Sequence, residues 1–167
     1  MPATLPIPIE FRLPEGWLPA RPEGFEAVDV AFAAAHPQPD AGFAANIVID
    51  GEIPPDTVTL ADLASESVER LREVVAEPIL VAYRREVGSA VAPALTQRLA
   101  FSALVADGTR RELVQSQVYL SLSDVDDPHK HVVIRLVLTA TAAQHDAVLG
   151  EFQDFVRTVR PDTETEV

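Results

Sequence analysis

"LTQRLAFSALVADGTRRELVQSQVYLSLS", Leu95 to Ser123, is the stretch on which the fold turns. From Leu95 to Ala106 and again from Arg110 to Ser121 the residues read as strands, with successive side chains on opposite faces of a sheet. Between them stands "ADGT", Ala106 to Thr109. Asp-Gly is the pair that tight hairpins favour, because both central residues need positive φ. Two strands joined so closely must run antiparallel.

The neighbouring segments extend the same pattern. Ile79–Glu86 reads as the strand before the hairpin and His131–Thr139 as the one after it. Near the start, Ile7, Ile9, Phe11 and Leu13 alternate with Pro8, Glu10 and Arg12, a strand that Pro14 and Gly16 end. Val28–Ala34 and Ala44–Asp50 read as two more, separated by the loop "HPQPDAG". The period then becomes helical, with Leu60, Leu63, Ser67, Leu71 and Val74 at three- and four-residue steps and Val68 and Val75 beside them. Thr59 and Asp62 are spaced as a capping box, Glu66 and Arg70 stand on the outer side, and Pro78 bars continuation. A last helix has Thr141 and Gln144 at its start and Val148, Phe152, Phe155 and Val159 on one stripe, with Pro161 after it.

The order of three strands, one helix, four strands and one helix predicts an α+β fold: an antiparallel sheet of six to seven strands with two helices packed on it. A single domain over residues 1–160 and a frayed acidic tail over 161–167 are expected.

Composition removes several classes of function. The 167 residues contain no cysteine, which excludes disulfides, thiol catalysis and Cys-based metal sites. The formal charge of −13 repels a polyphosphate, so nucleic acid is not an expected partner. The first twenty residues do not read as a signal peptide, and no run reaches the roughly 18–20 apolar residues that a membrane span needs. The expectation is a cytoplasmic protein that does not insert into a membrane.

Signals for chemistry are weak. "SDVDDPHKH", Ser123 to His131, gathers carboxylates and imidazoles, but a Pro-containing acidic loop is also what solvent exposure selects; no metal is expected there. His36 and His145 lack sequence partners and are expected to face solvent. No serine stands in a Gly-x-Ser-x-Gly elbow, and no glycine-rich phosphate loop occurs. The reading is therefore no catalytic residue, no cofactor and no enzyme. Trp17, behind a strand and a Pro-Glu-Gly turn, is expected to fold back and close one end of the core.

The element order, together with "FRLPEGW", "ANIVI", "TLADL", "LVQSQVY" and "VVIRLVLTAT…FQDFV", resembles the PsbP-like fold family. It is most similar to the LpqN-type lipoproteins of actinobacteria and to effector-associated chaperones of type VI secretion. The resemblance covers roughly Ile7 to Arg160. It implies an antiparallel sheet between helices, no shared catalytic residues, and roles in binding proteins or small apolar ligands. LpqN-type lipoproteins have a signal peptide and a lipid-bearing cysteine; neither is found here, so export and membrane attachment do not carry over.

The site expectation comes from the hairpin. Leu113, Gln115, Gln117, Tyr119 and Ser121 share one side of their strand. If the polar sides of three strands line up, Arg98, Gln115, Gln117, Tyr119 and Arg135 form one partner-binding surface of adaptable donors around an aromatic ring. Helices on both faces, as the resemblance implies, would hide part of it. The expected function is a non-catalytic protein-binding or chaperone-like adaptor whose net acidity favours a basic or neutral partner. The alternative is a carrier of a small apolar ligand between sheet and helix.

Overall fold

The computed structural model describes residues 5–20, 31–40, 42–55, 57–75, 78–89, 92–104, 108–123 and 131–161. In chain order its elements are β1 (Ile9–Glu10), β2 (Leu18–Ala20), β3 (Phe32–Ala35), β4 (Asn46–Glu52), α1 (Leu60–Val74), β5 (Leu80–Gly88), β6 (Pro93–Leu104), β7 (Arg110–Ser123), β8 (His131–Thr141), α2 (Ala142–Thr158) and β9 (Arg160–Pro161).

Seven strands form one antiparallel sheet in the order β2-β3-β4-β8-β7-β6-β5. The second half of the chain is a meander, β5 to β8, and the first half adds to it by pairing β4 with β8. α1 is the crossover that carries the chain from β4 to the far edge, β5. Its start is set by the capping box: the Asp62 N–H donates to Thr59 Oγ1 at 3.0 Å, and the Thr59 N–H donates to Asp62 Oδ2 at 2.9 Å. The bond from the Thr59 N–H, and then the Thr59 hydroxyl, hold the Asp62 carboxyl below its ordinary value. At the start of α2 the Gln144 N–H donates to Thr141 Oγ1, and that hydroxyl in turn donates to Asp40 Oδ2.

The two helices cover opposite faces. α2 lays Val148, Phe152 and Phe155 on Ile47 and Ile49 of β4 and on Ile134, Leu136 and Leu138 of β8. α1 lays Leu63 and Ala64 on Leu95, Tyr119 and Val133, and Val68 on Leu99, Phe101 and Leu113. At Gly108, φ is +84°, the left-handed backbone expected at the hairpin.

Two expectations at the start of the chain change. The strand expected over Ile7–Leu13 shrinks to β1, which pairs with β9 outside the main sheet; Pro8, without an N–H, borders it. Ile7, Ile9, Phe11 and Leu13 still pack on the core under α2, so the alternation marked burial and not sheet membership. Its place at the sheet edge goes to β2, which follows the turn where Gly16 takes φ +89° and the Trp17 N–H donates to Pro14 O. Trp17 is buried in that same core, as expected, with its ring edge-on to His36 and its Nε1–H donating to Glu151 at 3.1 Å. The residues before Ala31 in the expected strand Val28–Ala34, Val105–Asp107 at the expected hairpin turn, Asp124–Lys130 of the acidic loop and 162–167 of the tail lie outside the described residues.

Candidate functional site

Register decides where the five nominated residues fall. A two-residue turn at Asp107–Gly108 would pair Ala106 with Thr109, and so Arg98 with Gln117. Instead Leu104 pairs with Arg110, Gln97 with Gln117, and Arg98 with Ser116. One residue of slip moves a side chain to the other face, so Arg98 leaves the group. Gln115, Gln117, Tyr119 and Arg135 do share a face, with Tyr119 opposite Arg135 and Gln115 opposite Thr139.

That face is not an open surface. Tyr119 is 2 % exposed and Gln117 1 %, beneath α1. The side chains satisfy one another: Gln97 Nε2 donates to Gln117 Oε1 at 2.7 Å and to the Ala64 carbonyl of α1 at 3.1 Å, and the Tyr119 hydroxyl donates to Gln117 Oε1 at 2.8 Å. Gln117 donates to Gln115, and Gln115 to Thr139 Oγ1 at 3.1 Å. Buried amides are tolerated when every group is partnered, and this row is partnered internally. Gln97, its centre, was not singled out in the sequence because Leu95 and Leu99 on either side make its face read as apolar.

Arg135 closes the network. It is held by Asp50 of β4 at 2.6 Å and donates to Ser67 of α1 at 2.9 Å. Burial works against its charge, but Asp50 and the facing Tyr119 oxygen outweigh that and raise its affinity for its proton. Asp50 lies 85 positions away in sequence, beyond the reach of any spacing rule.

Under α2 lies a second polar contact, also missed. Ser116 Oγ and His145 Nε2 are 2.9 Å apart, and His145 Nδ1 is 3.5 Å from Asp146 Oδ1. His145 is 2 % exposed, against the expectation of a solvated ring, while Asp146 is 92 % exposed. Burial keeps the His145 pKa below its ordinary value, so the ring is held neutral. The order Ser–His–Asp invites a hydrolytic reading, but serine and imidazole are both sealed beneath the helix and neither lines a described cleft.

What the helices leave uncovered is the β5 side of the sheet. β5 has nine residues and, among the described residues, one neighbour in the sheet, β6. Leu80 is 63 % exposed, Tyr83 40 % and Val87 39 %. A bulge between Val81 and Tyr83 shifts the register, so Leu80 opposite Ala100 and Tyr83 opposite Arg98 turn to the same face, the one α2 occupies further along the sheet. The guanidinium carbons of Arg98 and Arg85 lie 5.2 and 6.0 Å from the Tyr83 ring centre. On the other face Arg84 is held by Gln97 Oε1 and Ser65 Oγ. A cleft of about 750 Å³ opens between the start of α1 and the end of β5, lined by Pro55, Val58, Leu63, Val87, Pro93 and Val133 among others. Among the described residues no group of His, Asp and Glu is placed to hold a metal ion, and no helix is long and apolar enough to cross a membrane.

An antiparallel sheet with one helix on each face and this strand order is a PsbP/Mog1-like fold. Solved structures of that fold include the Ran-binding protein Mog1p of Saccharomyces cerevisiae, at 19 % identity over 92 % of this chain and 89 % of that one, TM-score 0.58. Cyanobacterial PsbP from Synechocystis matches at 17 % over 92 % and 86 %, TM-score 0.58. LpqN of Mycobacterium tuberculosis, involved in cell envelope biogenesis, matches at 16 % over 92 % and 83 %, TM-score 0.56. No family model and no curated protein matches the sequence.

Proposed function

We propose that this chain is a non-catalytic adaptor that binds another protein along the β5 edge of its sheet. The observation that carries the reading is the contrast between the sheet's two ends. β2 is three residues long with Pro19 at its centre, a blunted edge, whereas β5 offers nine residues with three exposed apolar side chains on one face. An extended segment can add to such an edge through main-chain hydrogen bonds and seat alternate side chains on the adjoining face. That one protein of this fold is Ran-binding supports binding as the class of activity. Direct contact through Gln117 and Tyr119 would require α1 to leave the sheet, while Gln115 and Arg135 are half-buried, so the edge takes the role first assigned to the group.

The test is site-specific photo-crosslinking in the source cell from Val87 on β5, with Glu69 on the exposed side of α1 as control. Discrete adducts from position 87 that are missing at position 69 are expected. No adduct at 87, or the same adducts at both, ends the reading.

The cleft beside α1 favours a second reading, carriage of a small apolar ligand, because its volume lies within the range of ligand sites and its lining is mainly apolar. Native mass spectrometry of the freshly isolated protein would show an added mass that Leu63→Trp removes.

A further inference from the structure

We infer that the segment docked on β5 is acidic, although the protein as a whole carries a charge of −13. This rests on the edge reading above and adds the chemistry of the partner. On the face where Leu80, Tyr83 and Val87 are exposed, the charges of β5 and the facing part of β6 are Arg85 and Arg98, and both lie against the Tyr83 ring. Glu86 turns to the opposite face with Arg84. Glu112 shares the docking face two strands away and accepts a hydrogen bond from Ser102. The strip that a segment paired along β5 would cover is therefore an aromatic ring with two guanidinium groups against it, bounded by Leu80 at one end and Val87 at the other.

Charges on an edge strand have a plain protective use, since they discourage pairing with other chains. That use does not explain the apolar residues. A strand built only to repel would not expose Leu80, Tyr83 and Val87 on one side, where the bulge brings Leu80 and Tyr83 to the same face. The arrangement repels some strands and accepts others.

For a second copy of this chain the outcome depends on register. Two β5 strands related by a two-fold axis pair antiparallel, with the axial residue facing its own copy. A register centred on Arg84 or Glu86 sets like charges directly opposite, which is destabilising, while one centred on Arg85 opposes Arg85 to its copy between two Arg84–Glu86 pairs. A segment with carboxylates at alternate positions meets Arg85 and Arg98 instead, and its intervening residues run along the ladder. Against the general negative field of the protein, such a segment is attracted at this strip, so the charges select place as well as partner.

The experiment is selection of a displayed random nonapeptide library on the immobilised wild-type protein, followed by titration of the enriched peptides into isotope-labelled protein while its amide signals are recorded. Enriched peptides should carry net negative charge with alternating apolar residues and should move the amides of β5 and β6. Arg85→Glu should weaken them about tenfold, while Arg85→Lys keeps most of the affinity. Neutral or basic peptides that move the same amides, or acidic ones indifferent to Arg85→Glu, would overturn the acidic partner and leave the edge reading standing. If no enriched peptide moves β5, both fall. A dimer in sedimentation whose protected amides are those of β5 gives the edge to a second copy and overturns the proposal as well.

Discussion

The sheet face under α2 and the face under α1 belong to the same strands, yet one is closed by hydrocarbon and the other by amides. Under α2, Ile47, Ile49, Ile134, Leu136 and Leu138 meet Val148, Phe152 and Phe155, with Trp17 in the same cluster. Under α1 the row Gln97–Gln117 runs between two small apolar clusters, one around Leu63 and Tyr119 and the other around Val68 and Phe101. The first kind of contact is non-directional and scales with area. The second depends on each donor finding its acceptor, so α1 is placed by geometry more than by area.

The largest expected effect is on the hydrocarbon side. Phe152→Ala should cost about 3–5 kcal/mol in chemical denaturation, because it empties the centre of the larger cluster. If it cost less than Gln117→Ala, the contrast between the faces would be broken. Gln117→Ala should cost about 1–3 kcal/mol, since Gln97 and the Tyr119 hydroxyl each lose a buried partner. Its mark should be local: amide exchange should quicken in α1 while α2 keeps its protection.

A smaller effect concerns the buried contact of Ser116 with His145 on the hydrocarbon side. His145 is held neutral, with its folded pKa below the unfolded value of 6.5. Between those values the unfolded chain binds a proton that the folded chain refuses, so this contribution is intact above 6.5 and is lost as pH falls toward the folded value. Denaturation midpoints of wild type and His145→Gln, measured at about pH 7.5 and about pH 5.5, should diverge less on acidification for the variant. Equal acid sensitivity would sharpen nothing and remove His145 from the account. The smallest effect is expected on β5: Leu80→Ser should change stability by no more than about 0.5 kcal/mol, as its side chain is mostly exposed.

The architecture was legible because it rests on local signals. Alternation set β6, β7 and β8, the capping box at Thr59 and the Thr141 cap set the starts of the helices, and the element order implied an antiparallel sheet. The site was not legible, for two physical reasons. Whether Arg98 stands with Gln117 or with Ser116 depends on one residue in the hairpin connection, which composition does not resolve. Whether Gln117 and Tyr119 face water depends on where α1 lies and on Gln97, Ala64 and Asp50 as partners, all distant in sequence. A polar strand face reads the same whether its hydrogen bonds go to water or to other side chains. The exposure of β5 was equally hidden, since edge position follows from which strands pair and not from the strand's own residues.

The short ladder of Ile9 with Pro161 and Glu10 with Arg160 sets the first and last paired strands of the fold side by side. Its entry and exit therefore share one doorway, so the fold could be spliced into a surface loop of another protein without stretching the host. For the same reason, a short linker from Pro161 to Ile9 would make the backbone circular, and new ends could be opened at an exposed turn with the sheet order unchanged.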